Sequence, residues 1–538
     1  MPTSTIRARE PREPIGAISS ALDRSVDAIA PHIEDAAHFP GGHADAIARP
    51  RTEGEVAGLV VAASQVLAIG AQSSVTGGAT PNGGLILSTE RLTTFEQTGS
   101  ERVHCGAGVA LVTLQKSLSD RERWYPPVPT FTGAFVGGVI ATNAAGAATY
   151  KYGATRAWIE GLTVVLACGH VLDLVRGEVL ADPVSGWRLE CGHGTRTFKP
   201  CTYQMPAVPK CSAGYFAAPE MDLIDLFIGA EGTLGVITDA TIRVLPEPPA
   251  VAIALVPVGS ESSALALVHE LREASRRTWH ERDPRGIDVA AIESLDRRCL
   301  QVLREDGADR RSEVAVPPDT ELVLLIQLEL AADMSVEAAY EEIAASLDPD
   351  PPDTALVRLC RLLDQHGLFE QAELAMPGDA RRAEQLLAFR EGVPTGVNRR
   401  VGDAKRDIDP RIEKSAGDMI VPFARFGDMM AIYREGYQRR GLDFAIWGHI
   451  SDGNVHPNVI PRSYADVVAG KEAILEFGRE VARLGGCPLA EHGVGRSTIK
   501  QALLRQLYGE RGVGEMRAIK QVLDPDWKLA PGNLFDHD

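Results

Sequence analysis

Two histidines flank a short polar run in the segment FAIWGHISDGNVHPNVIP, residues 444–461. The aromatic and branched residues on both sides of this run predict a β-hairpin with a tight turn. With Asp452 and Gly453 as the central turn residues, His449 pairs with His456, and opposed Cβ atoms lie roughly 4.5–5.5 Å apart. Two imidazoles at that separation suit a metal ion. The alternative is a half-buried hairpin whose histidines bind no metal.

A carboxylate for the same ion occurs downstream in LAEHGVGR, where Glu491 is followed directly by His492. Two histidines and one carboxylate with an open coordination position form a divalent site suited to catalysis. We therefore expect His449, His456 and Glu491 to bind a divalent metal, with zinc preferred over manganese or iron. Neighbouring residues of a strand point to opposite faces, so Glu491 and His492 serve one site only if the chain bends there. The glycines at 493 and 495 allow such a bend.

Length and charge limit what kind of protein can position these groups. A chain of 538 residues is too long for one core, so two or three domains are expected. Its formal charge of −18 argues against nucleic acid and against an anionic membrane surface as partners. No apolar run approaches the roughly 20 residues needed to span a bilayer. We expect a cytoplasmic protein, with any membrane contact peripheral at the inner membrane.

The N-terminus and the cysteines carry no targeting or metal signal. The segment MPTSTIRAREPREPIG lacks the apolar core of a secretory signal, and we expect a frayed tail there. None of the eight cysteines forms a Cys-x-x-Cys pair, which argues against zinc modules and iron–sulfur clusters. Thiols in a reducing cytoplasm are the remaining interpretation. The sequence assigns no role to Cys191, Cys201 and Cys211.

A Gly-rich loop between two strands is the first candidate ligand site. It lies in VLAIGAQSSVTGGATPNGGLILS, residues 66–88, after a helix that Thr52 and Glu55 begin with a capping box. Gly70, Gly77 and Gly78 let the backbone approach a ligand, and consecutive N–H groups suit a pyrophosphate. A plain Gly-rich connection is the alternative. The stretch contains no Gly-x-Gly-x-x-Gly or Gly-Lys-Ser/Thr motif, which disfavours a nicotinamide dehydrogenase of the usual kind.

Two further stretches rich in small residues follow. Residues 125–174, YPPVPTFTGAFVGGVIATNAAGAATYKYGATRAWIEGLTVVLACGHVLDL, predict an extended entry, a short helix and a hairpin at 161–175. After KCSAGY (210–215), the stretch DLFIGAEGTLGVITDATIRVLP (225–246) places Glu231 between a short helix and a branched strand. Three such stretches without a Rossmann motif indicate a long cofactor folded between sheets.

The order of these motifs resembles the FAD domain of the vanillyl-alcohol-oxidase superfamily. With HISDGNVH, EHGVG and PGNLF (531–535), the chain resembles the FAD-linked D-2-hydroxyacid dehydrogenases, the group of D-lactate dehydrogenase, D-2-hydroxyglutarate dehydrogenase and the glycolate oxidase flavin subunit. The resemblance implies an α+β fold. Its expected parts are an N-terminal tail and helix (1–45), a two-subdomain PCMH-type FAD-binding domain (46–248), an α+β substrate-capping domain (249–470) and a helical C-terminal segment (471–538) that returns to the flavin site.

The resemblance also implies which residues bind FAD. The pyrophosphate is expected on the first Gly-rich loop. The matching positions are Gly70, Ala71, Gln72, Ser73, Ser74, Thr76, Gly77, Gly78, Pro127, Gly138, Thr142, Asn143, Gly146, Gly153, Glu231 and Ile237. Superfamily members that attach the flavin covalently use a histidine in this loop. Because the loop has none, we expect noncovalent FAD.

The predicted capping domain contains the candidate substrate contacts. Its pattern predicts strands at 246–258 and 321–331, helices at 262–275 and 335–347, and a helix in 378–400 that ends near Pro394. Arg390 in that helix matches the family's contact to the substrate carboxylate, and a guanidinium fork suits a planar carboxylate. The alternative is a surface arginine paired with Glu391. Asn458 matches a contact to the substrate hydroxyl or carboxylate.

Two departures from the family bear on the substrate. Pro394 replaces the hydroxyl residue of hydroxyglutarate-type members, and the second basic contact falls either on Lys414 or on Ala416. The sequence therefore gives no definite basic residue that would bind a second, distal carboxylate of the substrate. This favours a monocarboxylate such as D-lactate, or a larger hydroxy acid, over D-2-hydroxyglutarate.

The expected reaction oxidises R–CHOH–COO⁻ to the 2-keto acid, with hydride passing to flavin N5. A divalent metal lowers the pKa of the hydroxyl. His492 is the expected general base, since imidazoles titrate near neutral pH, and Arg390 orients the carboxylate. A quinone, a cytochrome or an electron-transfer flavoprotein is the expected electron acceptor. The sequence does not fix the oligomeric state, and a homodimer is compatible with it.

Other classes of function explain less of the sequence. An oxidase that uses oxygen would share the fold, and the sequence does not separate it from a dehydrogenase. A metallohydrolase could use the two histidines and Glu491, but it would leave the three cofactor-like stretches without a purpose. A non-redox flavoprotein transferase would not need the histidine pair or Arg390. A non-enzymatic binding module has little support, and bound flavin would exclude both this module and the hydrolase.

Overall fold

The computed structural model describes residues 3–13 and 22–536 of the chain. The chain forms two compact units. Unit 1 comprises Met1–Gly146, Gly153–Pro246 and Cys487–Asp538, and unit 2 comprises Ala147–Tyr152 and Glu247–Gly486. Positions 1–2 and 14–21, which include parts of the predicted N-terminal tail and helix, lie outside the described residues. Within the described ranges, no helix is both long enough and apolar enough to cross a membrane.

Strands and helices are numbered in chain order. The strands are β1 (Thr5–Arg7), β2 (Leu22–Asp23), β3 (Ala46–Ala48), β4 (Val66–Ile69), β5 (Leu85–Ser88), β6 (Phe95–Gln97), β7 (Arg102–Gly106), β8 (Arg123–Trp124), β9 (Ile159–Val165), β10 (Val171–Val175), β11 (Trp187–Cys191), β12 (Gly194–Phe198), β13 (Val236–Arg243), β14 (Leu245–Pro246), β15 (Ala250–Val258), β16 (Val289–Asp296), β17 (Leu322–Leu330), β18 (Glu373–Ala375), β19 (Met419–Ile420), β20 (Phe444–His449) and β21 (Asn454–Val459). The α-helices are α1 (Val26–Ile29), α2 (Glu53–Ala62), α3 (Leu111–Ser119), α4 (Val136–Ala141), α5 (Thr149–Tyr152), α6 (Leu223–Phe227), α7 (Glu261–Glu281), α8 (Arg297–Glu305), α9 (Ala308–Arg311), α10 (Val336–Ala345), α11 (Ala355–Gln365), α12 (Ala380–Asp407), α13 (Phe426–Arg439), α14 (Tyr464–Arg483) and α15 (Thr498–Leu523).

Two sheets of unit 1 carry the predicted cofactor segments. One has the strand order β2-β3-β5-β4, with β3, β5 and β4 parallel, and the other is antiparallel with the order β10-β9-β13-β7-β6. Smaller sheets join β1 with β11 and β12, and β8 with β14. Strands β4 and β5 confirm the strand–loop–strand prediction for residues 66–88, and β9 with β10 confirms the hairpin at 161–175. Both strands that bound the Gly-rich loop are therefore held by sheet pairing.

Helix α2 begins as the sequence predicts. The Thr52 hydroxyl accepts a hydrogen bond from the Glu55 N–H at 3.2 Å, and the Glu55 carboxylate accepts one from the Arg51 N–H at 2.6 Å. The Thr52 half of the predicted capping box is therefore present, whereas Glu55 binds the N–H of Arg51 instead of that of the N-cap residue Thr52. Most residues of this helix are buried, so the position of its first turn also determines where the following strand β4 enters the sheet.

The prediction of a frayed N-terminal tail is wrong for residues 3–13. Strand β1 pairs in parallel with β11, and Ile6 and Ala8 are buried. The Arg9 guanidinium donates two hydrogen bonds to Glu53, at 2.7 and 2.8 Å, and two to Asp173, at 2.6 and 2.9 Å. Glu53 and Asp173 are far from Arg9 in sequence, so no local pattern predicts these contacts. A bidentate arginine between two carboxylates anchors the segment.

Unit 2 is organised around a seven-stranded sheet with the order β18-β15-β17-β16-β20-β21-β19. Its interior strand β17, LVLLIQLEL, is almost entirely buried, as expected for a strand covered on both faces. Helices α8 and α12 pack into one core with this sheet. On α12 the buried residues Leu386, Phe389, Val393 and Val397 recur with the helical period. The strands and helices predicted between 246 and 347 are confirmed.

The predicted end of a helix near Pro394 is wrong, because α12 continues from Ala380 to Asp407 with Pro394 inside it. A proline within a helix costs about 3 kcal/mol, since it removes a hydrogen bond and crowds the preceding turn. Burial of an apolar side chain contributes roughly 1.5–3 kcal/mol. Val393, Val397 and Val401 are buried on the same helix. The buried stripe on both sides of Pro394 therefore outweighs the local penalty.

Candidate active site

A cavity of about 400 Å³ lies in unit 1 beside the Gly-rich loop. Its walls come from the loop after β4, from the Pro129–Ala145 region and from the turn before β13. Glu491, His492 and Asn533 of the C-terminal segment complete it. Eleven of the predicted FAD contacts line this cavity: Gly70, Ala71, Gln72, Ser73, Ser74, Thr76, Gly78, Gly138, Thr142, Glu231 and Ile237.

Five predicted FAD contacts occur outside the cavity wall, as far as the described residues show: Gly77, Pro127, Asn143, Gly146 and Gly153. Two of them shape the backbone instead. Gly77 has φ of 76° and donates its N–H to Asp35 at 2.7 Å, and a Cβ on Gly146 would lie 2.6 Å from the Val128 carbonyl oxygen. Direct contact of these five residues with FAD stays a prediction.

Gln72 holds the Gly-rich loop in place from the side. Its backbone has φ of 52°, and its side-chain amide donates to the carbonyl groups of His32 and Ala79, each at 2.9 Å. The Gln72 side chain is therefore engaged in hydrogen bonds within the protein. The sequence indicates the loop, but not this support from residues about 40 positions earlier.

Glu231 ties the turn before β13 to the C-terminal segment. Its two carboxylate oxygens accept the N–H groups of Val494 and Gly495, each at 2.7 Å. Burial raises the pKa of Glu231 to about 7, although these two hydrogen bonds act in the opposite direction. The carboxylate is thus a brace for the Gly493–Arg496 loop, which follows directly after Glu491 and His492.

The residues of this cavity fit a large polar cofactor. Asn533 donates its amide to the carbonyl oxygens of Gly78, at 3.0 Å, and Glu231, at 3.3 Å. Its buried side-chain oxygen has no hydrogen-bond partner among residues 3–13 and 22–536. Such a group costs free energy unless a ligand or water completes it. A Cβ on Gly138 would meet no atom within 4 Å, so the wall is open there as well.

Glu491 and His492 both line the cavity although they are neighbours in sequence. No strand is present at this point, and Gly493 and Gly495 have φ of 73° and 55°. The bend that two adjacent functional residues require is therefore present. The Lys210 ammonium, which is fully buried, donates to the Glu491 carboxylate at 2.5 Å and compensates its charge.

The hairpin that carries the two histidines is confirmed, but its predicted register is wrong. His449 pairs with Asn454 and His456 with Trp447, so the loop has four residues instead of two. The Ser451 N–H donates a hydrogen bond to the carbonyl oxygen of Ile292 in β16, and the Ser451 hydroxyl accepts one from the Ile292 N–H at 3.1 Å. This long-range pairing draws Ser451 out of the hairpin ladder. A shift of two residues keeps the same side chains on the same face.

The two imidazoles remain close in the observed register. Their ring centroids are 5.6 Å apart and the rings are nearly perpendicular. His449 Nδ1 lies 2.8 Å from a Glu293 oxygen, and His456 Nδ1 lies 3.5 Å from an Asp418 oxygen. Metal-binding histidines commonly present one nitrogen to a carboxylate and the other to the ion. The donor set within unit 2 therefore fits a divalent metal.

Arg390 is buried and shares Glu293 with His449. Its guanidinium donates to Glu293 at 3.1 Å and to Glu391 at 2.6 Å, so the predicted Glu391 pairing exists, but Arg390 itself is buried. Burial opposes ionisation of Glu293, yet the charges of Arg390 and His449 outweigh it and hold the pKa of Glu293 well below its usual range. Arg390 Nε is buried without a hydrogen-bond partner within the described ranges.

The remaining substrate candidates differ in burial. Asn458 is 1% exposed, and its side-chain oxygen has no partner in the described part of the chain. Ala416 forms a β-bridge with Asn458, whereas Lys414 is exposed. The position beside Asn458 is therefore occupied by a small apolar residue.

Three buried charged residues of these sites were not predicted from the sequence. Glu293 is the one charged residue inside the otherwise apolar and small-residue run VAAIESL of β16, and a lone carboxylate in a buried strand is a usable signal. Asp418 and Lys210 lie in irregular segments, where the sequence offers no periodicity to interpret. Only their contacts identify them.

Two family models match the chain. Residues 248–534 match the C-terminal domain of the FAD linked oxidases, and residues 44–174 match the FAD binding domain. The chain belongs to the FAD linked oxidases. The resemblance to the FAD-linked D-2-hydroxyacid dehydrogenases is confirmed by relatives that carry such names, and the protein is a flavoprotein oxidoreductase.

Relatives cover nearly the whole chain. It is 26% identical over 509 residues to the glycolate oxidase subunit GlcD of Bacillus subtilis, covering 92% of this chain and 89% of the relative. It is 27% identical over 498 residues to a D-lactate dehydrogenase of Archaeoglobus fulgidus, covering 91% and 90%. It is 28% identical over 506 residues to a D-2-hydroxyglutarate dehydrogenase of Xanthomonas citri pv. viticola, covering 92% and 90%. Their names give three different substrates, so the family alone does not assign one.

Solved structures confirm the α+β fold. An alkyldihydroxyacetonephosphate synthase superposes with a TM-score of 0.59 at 13% identity, covering 95% of this chain and 82% of that protein. A second structure of the same synthase gives a TM-score of 0.57. At this identity the likeness shows the fold alone.

Proposed function

We propose that the protein oxidises a D-2-hydroxy acid to the 2-keto acid, with D-lactate as the preferred substrate and D-2-hydroxyglutarate or glycolate as alternatives. This proposal rests on one observation in unit 2, namely that the Glu293 carboxylate contacts both the Arg390 guanidinium and the His449 imidazole. One buried carboxylate orients both a guanidinium, which suits a carboxylate, and an imidazole, which suits a metal. A 2-hydroxy acid offers a carboxylate next to a hydroxyl.

Arg390 is the proposed anchor of the substrate carboxylate. Two of its nitrogens are engaged by Glu293 and Glu391, and its buried Nε lacks a partner within residues 3–13 and 22–536. Leaving a buried donor unsatisfied costs about 1–3 kcal/mol. A carboxylate that accepts from this Nε would remove the penalty, which supports binding of an anion here. The buried oxygen of Asn458 suits the hydroxyl proton in the same way.

The proposed metal ligands are His449, His456 and Glu491. The carboxylate contacts of both histidines support the assignment, with zinc first and manganese or iron as alternatives. A divalent ion bound by these residues supplies the Lewis acidity that lowers the pKa of the substrate hydroxyl. His492 is the proposed general base, which accepts the hydroxyl proton at an imidazole nitrogen. FAD supplies the hydride acceptor, and the residues of the unit 1 cavity would hold it noncovalently.

The preference for a monocarboxylate rests on the residues around Asn458. Ala416, not a lysine, forms the bridge to Asn458, and Pro394 provides no hydroxyl on α12. A distal carboxylate would need a cation there. A quinone, a cytochrome or an electron-transfer flavoprotein stays the proposed electron acceptor.

The test is anaerobic reduction of the bound flavin, followed by its visible absorbance, with D-lactate, L-lactate, D-2-hydroxyglutarate and glycolate added separately. We expect D-lactate to bleach the flavin, and chelation or His492→Ala to prevent bleaching. Arg390→Gln should lose the reaction, whereas Arg399→Gln on an exposed part of the same helix should retain it. Bound metal, measured by elemental analysis, should be lost in His449→Ala. Yellow protein that no hydroxy acid bleaches would refute the substrate assignment.

A further inference from the structure

Two cysteine sulfurs lie in contact within unit 1. Cys211 Sγ and Cys487 Sγ are 3.5 Å apart, although the residues are separated by 276 positions. Cys211 follows Lys210 in the KCSAGY segment, and Cys487 stands where the chain enters its C-terminal segment. No disulfide joins any of the eight cysteines, all of which lie within residues 22–536. A disulfide has a sulfur separation of about 2.05 Å, so a bond here needs a movement of roughly 1.5 Å.

The surroundings of the pair favour reaction at Cys211. The residue Cys211 is partly exposed while Cys487 is fully buried, so Cys211 is the more accessible of the two to a small oxidant. Contact with the Cys487 thiol lowers the pKa of the Cys211 thiol below its ordinary value, although burial opposes this effect, and a hydrogen bond from the Ala213 backbone adds to it. The thiolate is the nucleophilic form of cysteine. The Tyr508 hydroxyl is a further neighbour of the pair, at 3.9 Å from Cys211 Sγ.

The two cysteine segments run beside each other towards the predicted site. The Ser212 N–H donates to the Leu489 carbonyl oxygen at 2.9 Å, and Lys210 donates to Glu491. The Ser212 hydroxyl donates to the carbonyl oxygen of Thr142, which lines the cofactor cavity. A bond between the two sulfurs would draw together segments that also hold Glu491 in position.

We propose that Cys211 and Cys487 form a reversible dithiol–disulfide modification site that hydroperoxides oxidise. The Cys211 thiolate attacks the peroxide, its sulfur gains an oxygen as sulfenic acid, and the peroxide O–O bond breaks with release of water. The Cys487 sulfur then attacks the Cys211 sulfur, an S–S bond forms, and the S–O bond breaks with release of a second water. In sum, two thiols and one hydrogen peroxide give one disulfide and two waters.

The functional consequence rests on the proposed role of Glu491. Oxidation shifts the segment that carries Lys210, and Lys210 contacts the Glu491 carboxylate. Changes in groups that orient a metal ligand commonly cost 10–100-fold in metal affinity or activity. We expect the disulfide form to reduce its flavin with D-lactate roughly 10-fold more slowly than the dithiol form, and a thiol reductant to restore the rate.

The test treats the purified flavoprotein with hydrogen peroxide and measures intact mass and linked peptides. Wild type should lose the mass of two hydrogens, yield one disulfide between the peptides that contain Cys211 and Cys487, and return to its starting mass with dithiothreitol. Cys487→Ser should instead accumulate a sulfenic acid on Cys211 that a cyclic diketone traps. Cys191→Ser, which removes another partly exposed thiol, should behave as wild type.

These readouts separate the modification from the reaction. Mass and peptide linkage need no substrate, so they hold even if D-lactate proves not to be oxidised. Formation of a different disulfide, or oxidation of Cys211 straight to sulfinic acid in wild type, would overturn the proposed site. A correct disulfide with an unchanged rate of flavin reduction would overturn its effect on Glu491.

Discussion

Replacing Glu293 by glutamine tests the electrostatic core of unit 2. The substitution keeps the shape but removes the charge that faces Arg390 at 3.1 Å and His449 at 2.8 Å. Removing one partner of a buried ion pair costs roughly 3–5 kcal/mol. Because Arg390 keeps Glu391 as a second partner, we take the lower end and expect the free energy of unfolding to fall by about 3 kcal/mol.

Urea denaturation near neutral pH, followed by circular dichroism, measures this loss. The matched control is Glu391→Gln, which removes the other carboxylate of the same arginine. The Glu391 side chain is 47% exposed, and surface ion pairs contribute about 0–1 kcal/mol. If the two variants are destabilised equally, burial does not govern the strength of these pairs and our account of the cluster is refuted.

The pH dependence of the unfolding free energy of Glu293→Gln, relative to wild type, is an independent test. The pKa of Glu293 is held below its usual range in the folded protein, so the folded state binds this proton less readily than the unfolded chain. The stabilisation is therefore complete above the unfolded pKa of 4.5 and is lost as the pH falls. Lowering the pH from about 7 to about 3 should reduce the difference between wild type and Glu293→Gln by about 2 kcal/mol. A difference that grows on acidification would contradict this.

Two further predictions concern unit 1. Burial raises the pKa of Glu231 from 4.5 to about 7, so its contribution to stability is complete below 4.5 and falls as the pH rises through 7. Relative to Glu231→Gln, wild type should lose about 3 kcal/mol of unfolding free energy across that interval, measured by urea denaturation at both ends; a flat difference would refute the shift. Thr52→Ala should cost about 1 kcal/mol in thermal or chemical denaturation by removing the cap of α2, whereas Thr113→Ala on the exposed face of α3 should stay within about 0.5 kcal/mol.

Local patterns predicted most elements of the fold. The capping box at Thr52, the strands around the Gly-rich loop and the hairpin of β20 and β21 are each specified by residues close in sequence. The features that local patterns could not predict depend on partners that are distant in sequence. Strand β1 depends on β11, and the four-residue hairpin loop depends on the Ser451 pairing with β16. Helix α12 passes Pro394 because a buried stripe continues beyond it.

The candidate site shows the same division. Sequence motifs indicated the loop of residues 70–78 and both histidines, whereas Arg390 was indicated by the resemblance to the family. The motifs did not show that Glu293 joins Arg390 to His449, or that Lys210 holds Glu491. Both contacts connect residues that are more than 90 positions apart, and no local pattern encodes them.

Glu231 and Glu293 explain why a bound cation would matter for substrate capture. Both carboxylates are buried, but burial raises the pKa of Glu231 despite its two backbone N–H partners, whereas the charges of Arg390 and His449 hold the pKa of Glu293 below its usual range. The Arg390 guanidinium contacts two carboxylates, those of Glu293 and Glu391. A substrate carboxylate would then share the charge of Arg390 with these two partners. A divalent ion on His449 and His456 would add positive charge beside this cluster, so we expect the proposed metal to strengthen binding of the hydroxy acid as well as to activate its hydroxyl.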